Sequence, residues 1–123
     1  MTKKFFLQQG IAQVDAVCDC PFDGDTNSTI LRHQKSRKWF ALVYERDGAA
    51  YANLKCEPMQ ADFWRSVYAE VTPAWHMNKT HWNTVRLDGS VPDAVLCEML
   101  ADSYALTAAK PRKATPRRKS TIG

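Results

Sequence analysis

The interpretation of this chain starts from the stretch Trp75-His76-Met77-Asn78-Lys79-Thr80-His81-Trp82-Asn83-Thr84-Val85, which continues into Arg86-Leu87-Asp88-Gly89. Residues that can stack or form hydrogen bonds are unusually frequent in this stretch. The pattern predicts a polar turn at residues 77–81, followed by a strand at residues 82–87 that ends at the Asp-Gly pair. Because alternate residues of a strand point to opposite faces, Trp82, Thr84 and Arg86 are expected to share one face.

The composition indicates one globular domain followed by a basic tail. The chain has 123 residues, of which 45% are hydrophobic and 24% charged, values that are near the averages for globular domains. Residues 110–123 contain six Lys or Arg and no acid, whereas residues 1–109 have 11 basic and 13 acidic residues. We therefore predict a slightly acidic domain at residues 1–109 and a disordered basic tail at residues 110–123.

The N-terminal residues do not resemble a signal peptide. Their apolar run ends at Gln8, which is shorter than the roughly 7–15 apolar residues that a signal peptide needs. No stretch approaches the roughly 18 apolar residues of a membrane span. We expect a cytoplasmic protein with no membrane partner.

The four cysteines give little support for a metal site. Cys18 and Cys20 form the only close pair, and two further ligands with suitable spacing are missing. Cys56 and Cys97 are expected to be small core residues. The chain has only five glycines, so few positions would allow the backbone to approach a cofactor closely. We expect no metal and no small-molecule cofactor.

Hydrophobic periodicity predicts three helices, at residues 2–17, at residues 57–68 and from residues 91–93 onward. Strands are predicted at residues 29–33, 39–44 and 50–56, and two more between the second and third helices, one of them at residues 82–87. The expected buried stripe of the second helix is Met59, Phe63 and Val67, with Trp64 alongside. The expected stripe of the third helix is Val95, Leu96, Met99, Leu100 and Tyr104, with Asp102 and Ser103 facing away.

This order of elements predicts an α+β fold in two layers. An antiparallel five-stranded sheet would have helices covering one face. The other face would be left to water or to a partner. In the strand at residues 50–56 the apolar set should pack inward, which leaves Asn53 and Lys55 on the open face.

Several motifs carry a family resemblance. They are Asn53-Leu54-Lys55-Cys56-Glu57-Pro58, His76-Met77-Asn78-Lys79-Thr80-His81-Trp82-Asn83-Thr84-Val85, Leu87-Asp88-Gly89-Ser90-Val91-Pro92-Asp93 and Asp102-Ser103-Tyr104. With these motifs the chain resembles the MmcQ/YjbR family, most densely over residues 51–110. The resemblance implies an α-β(3)-α-β(2)-α two-layer fold and DNA binding, the function with which this family is usually labelled.

The candidate nucleic-acid-binding residues are Asn53, Lys55, His76, Asn78, Lys79, His81, Trp82, Thr84 and Arg86. In this interpretation Lys79 contacts a phosphate, Asn78 and the histidines form hydrogen bonds, and Trp82 stacks on a base. The alternative is a fold-defining corner, in which the asparagines and histidines satisfy buried backbone groups of an irregular turn.

Two classes of function follow from these observations. The first is a DNA-binding protein that uses the central stretch and the open sheet face. The second is a protein-interaction or chaperone-like module that uses the same face, since the fold that the resemblance implies looks like that of secretion chaperones.

Catalysis is not expected. His76, His81 and Asp88 could form an acid/base set and Ser90 could be a nucleophile, yet no nucleophile elbow or phosphate-binding loop accompanies them. Asp88 is instead expected to be a turn residue that bonds the backbone of Gly89 or Ser90. We therefore predict no catalytic residues.

Overall fold

The computed structural model describes residues 1–19, 28–74 and 77–108, which form one six-stranded antiparallel sheet and three helices. The elements are α1 (Lys3–Ile11), β1 (Ala16–Asp19), β2 (Ser28–His33), β3 (Trp39–Arg46), β4 (Ala49–Lys55), α2 (Pro58–Val67), β5 (Val71–Pro73), β6 (Trp82–Arg86) and α3 (Asp93–Thr107). The strands are arranged in the order β1-β2-β3-β4-β6-β5. The predicted α+β class is confirmed, with six strands in place of five.

The additional strand is β1, whose first two residues fall within the helix predicted at residues 2–17. Thr2 is the N-cap of α1, because its side chain accepts a hydrogen bond from Phe5 N at 3.1 Å. The helix then ends at Ile11, and Asp15 adopts a positive φ of 54° that reverses the chain. Val17 matches a helical stripe by spacing, but it lies on β1 opposite Arg32.

Gly10 allows α1 to approach the sheet closely. A Cβ atom at this position would lie 2.2 Å from Cδ1 of Leu31, a side chain that is completely buried. The glycine lowers the intrinsic helix propensity of α1 but leaves room for this contact with β2.

The core lies between the sheet and the three helices. Sheet residues such as Leu31, Val43, Leu54 and Val85 are buried on the face that the helices cover. From α1, Phe6 enters the same core; from α3, Leu96, Met99 and Leu100 do so, with Val95 and Tyr104 at the margin. The predicted stripe of α3 is therefore confirmed.

The predicted buried stripe of α2 is wrong. Met59, Phe63 and Val67 are 84%, 51% and 49% exposed, whereas Ala61 and Trp64 are buried. Residues 61 and 64 lie one helical turn apart on another side of the helix from the stripe. Burying the indole of Trp64 therefore turns the i, i+4 apolar row outward.

Two polar or weakly polar residues of α3 also differ from expectation. Ser103 is fully buried, because its hydroxyl donates to Phe40 O and accepts from Lys55 N at 2.8 Å. It thus satisfies backbone groups of two strands that would otherwise lack partners. Cys97 is exposed, whereas Cys56 is in the core, where burial raises the pKa of its thiol to about 11.

Three predictions concern residues outside the described ranges. They are the basic tail at residues 110–123, the role of Cys20 and the role of His76. Within the described ranges, no helix is long and apolar enough to cross a membrane.

His33 joins the end of β2 to the last turn of α3. Its Nε2 lies 2.9 Å from Thr107 Oγ1, and that hydroxyl donates to Ser103 O at 2.8 Å. Nε2 must therefore be the donor, which leaves Nδ1 without a proton in the neutral ring. The ring packs against Tyr104 and Phe40, and burial lowers the pKa of His33 below 6.5.

Acidification should weaken the fold through His33. Because its folded-state pKa is lowered, the unfolded chain binds the proton first, and the free energy of unfolding falls as pH decreases from about 7.5 to about 5.5. The slope should not exceed roughly 1.4 kcal/mol per pH unit for one proton. Urea denaturation across this range measures it.

The variant His33→Gln should be less stable at pH 7.5 and should show a flatter dependence on pH. The matched variant His81→Gln, at an exposed position, should keep the wild-type slope. An unchanged slope in His33→Gln would contradict this assignment.

Candidate functional site

The sheet face opposite the three helices, called the uncovered face below, is defined by the pairing of β4 with β6. Tyr51 lies opposite Arg86, and Lys55 lies opposite Trp82, with the pair Asn53 and Thr84 between them. Directly opposed residues share a face, and their neighbours Leu54 and Val85 face the core. The predicted alternation of Trp82, Thr84 and Arg86 is confirmed.

Cations and aromatic side chains are concentrated on the uncovered face. All four Lys and Arg residues of the described strands lie there by register: Arg32, Arg46, Lys55 and Arg86. Four aromatic residues share the face: Trp39, Tyr44, Tyr51 and Trp82. Among strand residues there, Asp19 supplies the one carboxylate, and it pairs with Arg32 at 3.0 Å. Counted over strand residues, the face therefore carries a net positive charge although residues 1–109 are acidic overall.

The middle of the uncovered face is sealed, which corrects the expectation that Asn53 is open. Asn53 is 0% and Thr84 4% exposed. Asn53 Oδ1 accepts hydrogen bonds from Thr84 Oγ1 at 2.6 Å and from Tyr44 Oη at 3.1 Å. Both residues were candidate contacts, but buried groups cannot reach a ligand in this conformation. They instead hold β3, β4 and β6 together.

At one end of this face, the ring of Tyr51 already has partners within the protein. Its ring stacks on that of Tyr44, with 5.6 Å between the centroids, and the guanidinium of Arg46 lies 5.3 Å from its centroid. Arg86 is half-exposed and forms an ion pair with Asp88 at 3.3 Å. At this tyrosine end, a ligand would therefore meet the charge of Arg86 more readily than an aromatic ring that is free to stack.

At the other end, two tryptophans have no such partners. Trp39 lies opposite Arg32, and Trp82 lies opposite Lys55. Both indoles are partly exposed, and neither makes a ring contact or a side-chain hydrogen bond in the described part of the chain. We call these four residues the tryptophan end.

Residues 77–81, called the corner loop below, continue from this end. Asn78 Oδ1 accepts a hydrogen bond from Thr80 N at 2.9 Å, which fixes a tight turn of the Asx type. His81 O accepts from Cys56 N at 2.8 Å. The last residue of the loop therefore lies beside Cys56, one residue beyond Lys55.

Arg65 of α2 clamps the corner loop to the body of the protein. Its Nη2 donates to Lys79 O and to Trp82 O, the latter at 3.3 Å, and its Nε donates to Asn83 Oδ1 at 2.6 Å. Asn83 is buried and donates in turn to Ala61 O at 3.3 Å. One guanidinium thus holds three acceptors of the loop and of β6.

The two interpretations left open by the sequence both apply, to different groups. The backbone of the corner loop and the side chains of Asn78 and Asn83 stabilise the turn. The side chains of Lys79 and His81 are exposed, and they form no side-chain hydrogen bond or ion pair in the described part of the chain. His76 lies outside the described residues, so its predicted role stays a prediction.

Sequence reasoning missed three residues of this region. Arg65 gave no signal, because a lone arginine on a helix resembles any solvated cation. Trp39 and Arg32 were hidden by a register shift of the β2–β3 pairing between Leu31 and Arg32. That bulge places Trp39 opposite Arg32, which simple alternation cannot predict.

Asp88 confirms its predicted turn role. Its Oδ1 accepts from Ser90 N at 2.9 Å, and this hydrogen bond lowers the pKa of the Asp88 carboxyl. Its Oδ2 pairs with Arg86, so both oxygens are engaged within the turn.

A groove of about 370 Å³ between α2 and α3 has the opposite electrostatic character. Three carboxylates line it, those of Glu57, Glu98 and Asp102. Such a groove repels phosphate. Among the described residues, no cluster of three His, Cys, Asp or Glu side chains is placed to hold a metal ion.

Comparison with known proteins assigns the family. A family model described as YjbR matches residues 12–106, and the chain therefore belongs to the YjbR family. It is 40% identical over 65 residues to the uncharacterized protein YjbR of Escherichia coli K12, a match that spans 53% of this chain and only 55% of that relative. It is 29% identical over 99 residues to the uncharacterized protein YyaQ of Bacillus subtilis, covering 72% and 83% of the two chains.

Solved structures share the fold. A crystal structure of a protein from Pseudomonas syringae superposes with a TM-score of 0.79 at 26% identity, covering 88% of this chain and all of that one. Protein DR2400 of Deinococcus radiodurans superposes with a TM-score of 0.72 at 27% identity, covering 89% and 79%.

Removing the clamp should destabilise the corner loop. In Arg65→Met the volume is kept, but Asn83 Oδ1 loses a charged donor inside the protein, so the free energy of unfolding should fall by about 2–3 kcal/mol. Amide hydrogen exchange at Thr80 and His81 should accelerate as well. Urea denaturation and exchange measured by NMR test both effects.

The matched variant is Arg37→Met, whose side chain is 55% exposed and 3.7 Å from Asp19. In this variant the free energy of unfolding should fall by less than about 0.5 kcal/mol. Equal losses in the two variants would contradict the clamp.

Proposed function

We propose that this member of the YjbR family binds nucleic acid, DNA in the first instance, through the corner loop and the adjoining tryptophan end of the uncovered face. The contacts are assigned to Lys55, Lys79, His81 and Trp82, with Arg86 extending the surface. The observation that carries the proposal is the placement of every strand cation and most strand aromatics on the one sheet face that no described helix covers.

Charge separation supports a polyanionic ligand. The acids of α3 are Asp93, Glu98 and Asp102, and that helix contains no Lys or Arg. The cations of the strands lie on the opposite side of the sheet. Phosphate would thus be attracted to the strand cations and repelled from α3.

The clamp supports a specific surface as well as a charged one. Because Arg65 fixes the carbonyl groups of Lys79 and Trp82, the neighbouring side chains start from a defined backbone. A ligand would then order only the lysine and histidine side chains, which reduces the entropy lost on binding.

The proposal is for binding without catalysis, in the cytoplasm. Both oxygens of Asp88 are engaged by Ser90 and Arg86, which leaves the carboxylate poorly available to orient a histidine as a base. The buried Cys56 thiol, held neutral by its raised pKa, suits a reducing compartment.

Loss of one exposed lysine tests the corner loop. Lys79→Ala should weaken binding of a DNA oligonucleotide by about 3- to 10-fold at ~50 mM salt and should reduce the salt slope of log K by roughly 0.7–0.9, the effect of one phosphate contact. Fluorescence anisotropy titrations at several salt concentrations measure both quantities.

Lys4→Ala is the matched control, since Lys4 is exposed on α1 and the net charge changes equally. It should bind DNA nearly as the wild type does. If the two variants lost the same affinity, net charge would explain binding and the corner loop would not.

Protein association is a second candidate function, favoured by the exposed row Met59, Phe63 and Val67 on α2. Residues 59 and 67 are equally spaced about Phe63, so two antiparallel copies of α2 would pair Met59 with Val67 and Phe63 with itself. The flanking residues Gln60 and Ser66 are uncharged and would not repel each other. We propose that the partner is a second copy of the chain.

Stable interfaces bury roughly 1,200–2,000 Å² with about 20–30 residues on each side. A contact made by one three-residue row is far smaller, so the dimer should be weak and concentration-dependent. Phe63→Glu should raise its Kd at least about 10-fold, because a charge would be buried at the two-fold axis. Sedimentation equilibrium up to ~1 mM protein measures this, with Ala101→Glu on α3 as control. A wild type that stays monomeric throughout would exclude the dimer.

A further inference from the structure

We infer that the ligand of the tryptophan end is an unpaired, single-stranded segment of nucleic acid, in which Trp39 and Trp82 stack on two bases. This inference rests on the proposed function and names the form of nucleic acid that the site accepts. Its starting point is that both indoles are partly exposed and make no ring contact in the described part of the chain.

The spacing of the two indoles suits an extended strand. Trp39 is on β3 and Trp82 on β6, and β4 lies between them. Two strand spacings separate them by about 10 Å. Successive bases of a duplex rise by about 3.4 Å per strand and are already stacked on one another, so neither face is open to an indole. Unpaired bases can separate and stack on successive aromatic groups.

The distribution of cations also favours a single strand. Lys55 lies opposite Trp82, and the exposed Lys79 is three residues away along the chain, so two lysines are available for the phosphates next to a base stacked on Trp82. The centre of the face, formed by residues such as Asn53 and Thr84, is sealed and uncharged. A duplex lying across the face would meet no cation there.

The shape of the corner loop points the same way. It is a five-residue turn tethered to α2 by Arg65. Reading a duplex usually requires a helix or a two-stranded ribbon inside the major groove. The corner loop supplies neither, whereas partly exposed aromatic side chains on a sheet are typical of platforms that stack unpaired bases.

The test uses the full chain with a fluorescein-labelled oligo(dT) of about 12 nucleotides and a hairpin duplex of similar length. At ~200 mM salt the single strand should bind at least about 10-fold more tightly than the hairpin. Trp82→Ala and Trp39→Ala should each weaken single-strand binding by about 5- to 100-fold and leave hairpin binding unchanged.

Trp82→Phe and Trp39→Phe should retain most of the single-strand affinity, since a phenyl ring still stacks. These variants also guard against loss of folding in the alanine variants. Met59→Ala, at an exposed apolar position on α2, is the control and should bind as the wild type does.

The possible failures are distinguishable. Equal binding of strand and hairpin, or full single-strand affinity in both alanine variants, would overturn this inference and leave the nucleic-acid proposal standing. No binding of either probe at ~50 mM salt would overturn the proposed function together with this inference.

Discussion

The candidate site depends on the hydrogen bonds that the guanidinium of Arg65 donates. It joins α2 to two backbone carbonyls, those of Lys79 and Trp82, and to the side chain of Asn83. The arginine is largely buried, with 21% of its side chain exposed, and its planar fork can satisfy several acceptors at once. An irregular turn thereby acquires a fixed backbone, and its lysine and histidine side chains are left outside.

The sheet divides the molecule chemically as well as spatially. On one face, apolar residues pack against three helices, and the carboxylates of Glu57, Glu98 and Asp102 line the outer groove. On the other face lie the strand cations and most of the strand aromatics. The sealed pair Asn53 and Thr84 connects the strands beneath them. Residues 1–109 are acidic overall, yet this division leaves one sheet face whose strand residues are net basic.

The sequence predicted the features that depend on local pattern, such as the alternation on β6, the stripe of α3 and the Asp88 turn. It did not predict those that depend on how elements meet. The apolar stripe of α2 faces outward because the large indole of Trp64 is buried in its place. Strand β1 was missed because Asp15 reverses the chain at a positive φ. Asn53 and Lys55 are two residues apart on β4 and therefore point to the same face. Only tertiary packing determines which of the two side chains is buried.

The central claim is that the corner loop and the tryptophan end bind nucleic acid. The most direct measurement is an NMR titration of the ¹⁵N-labelled full chain with a single-stranded oligonucleotide at ~50 mM salt. The account predicts chemical-shift changes at Lys55, at residues 77–82 and at the indole N–H groups of Trp39 and Trp82. Changes confined to the helices or to residues 110–123, with none at the tryptophan end, would contradict it.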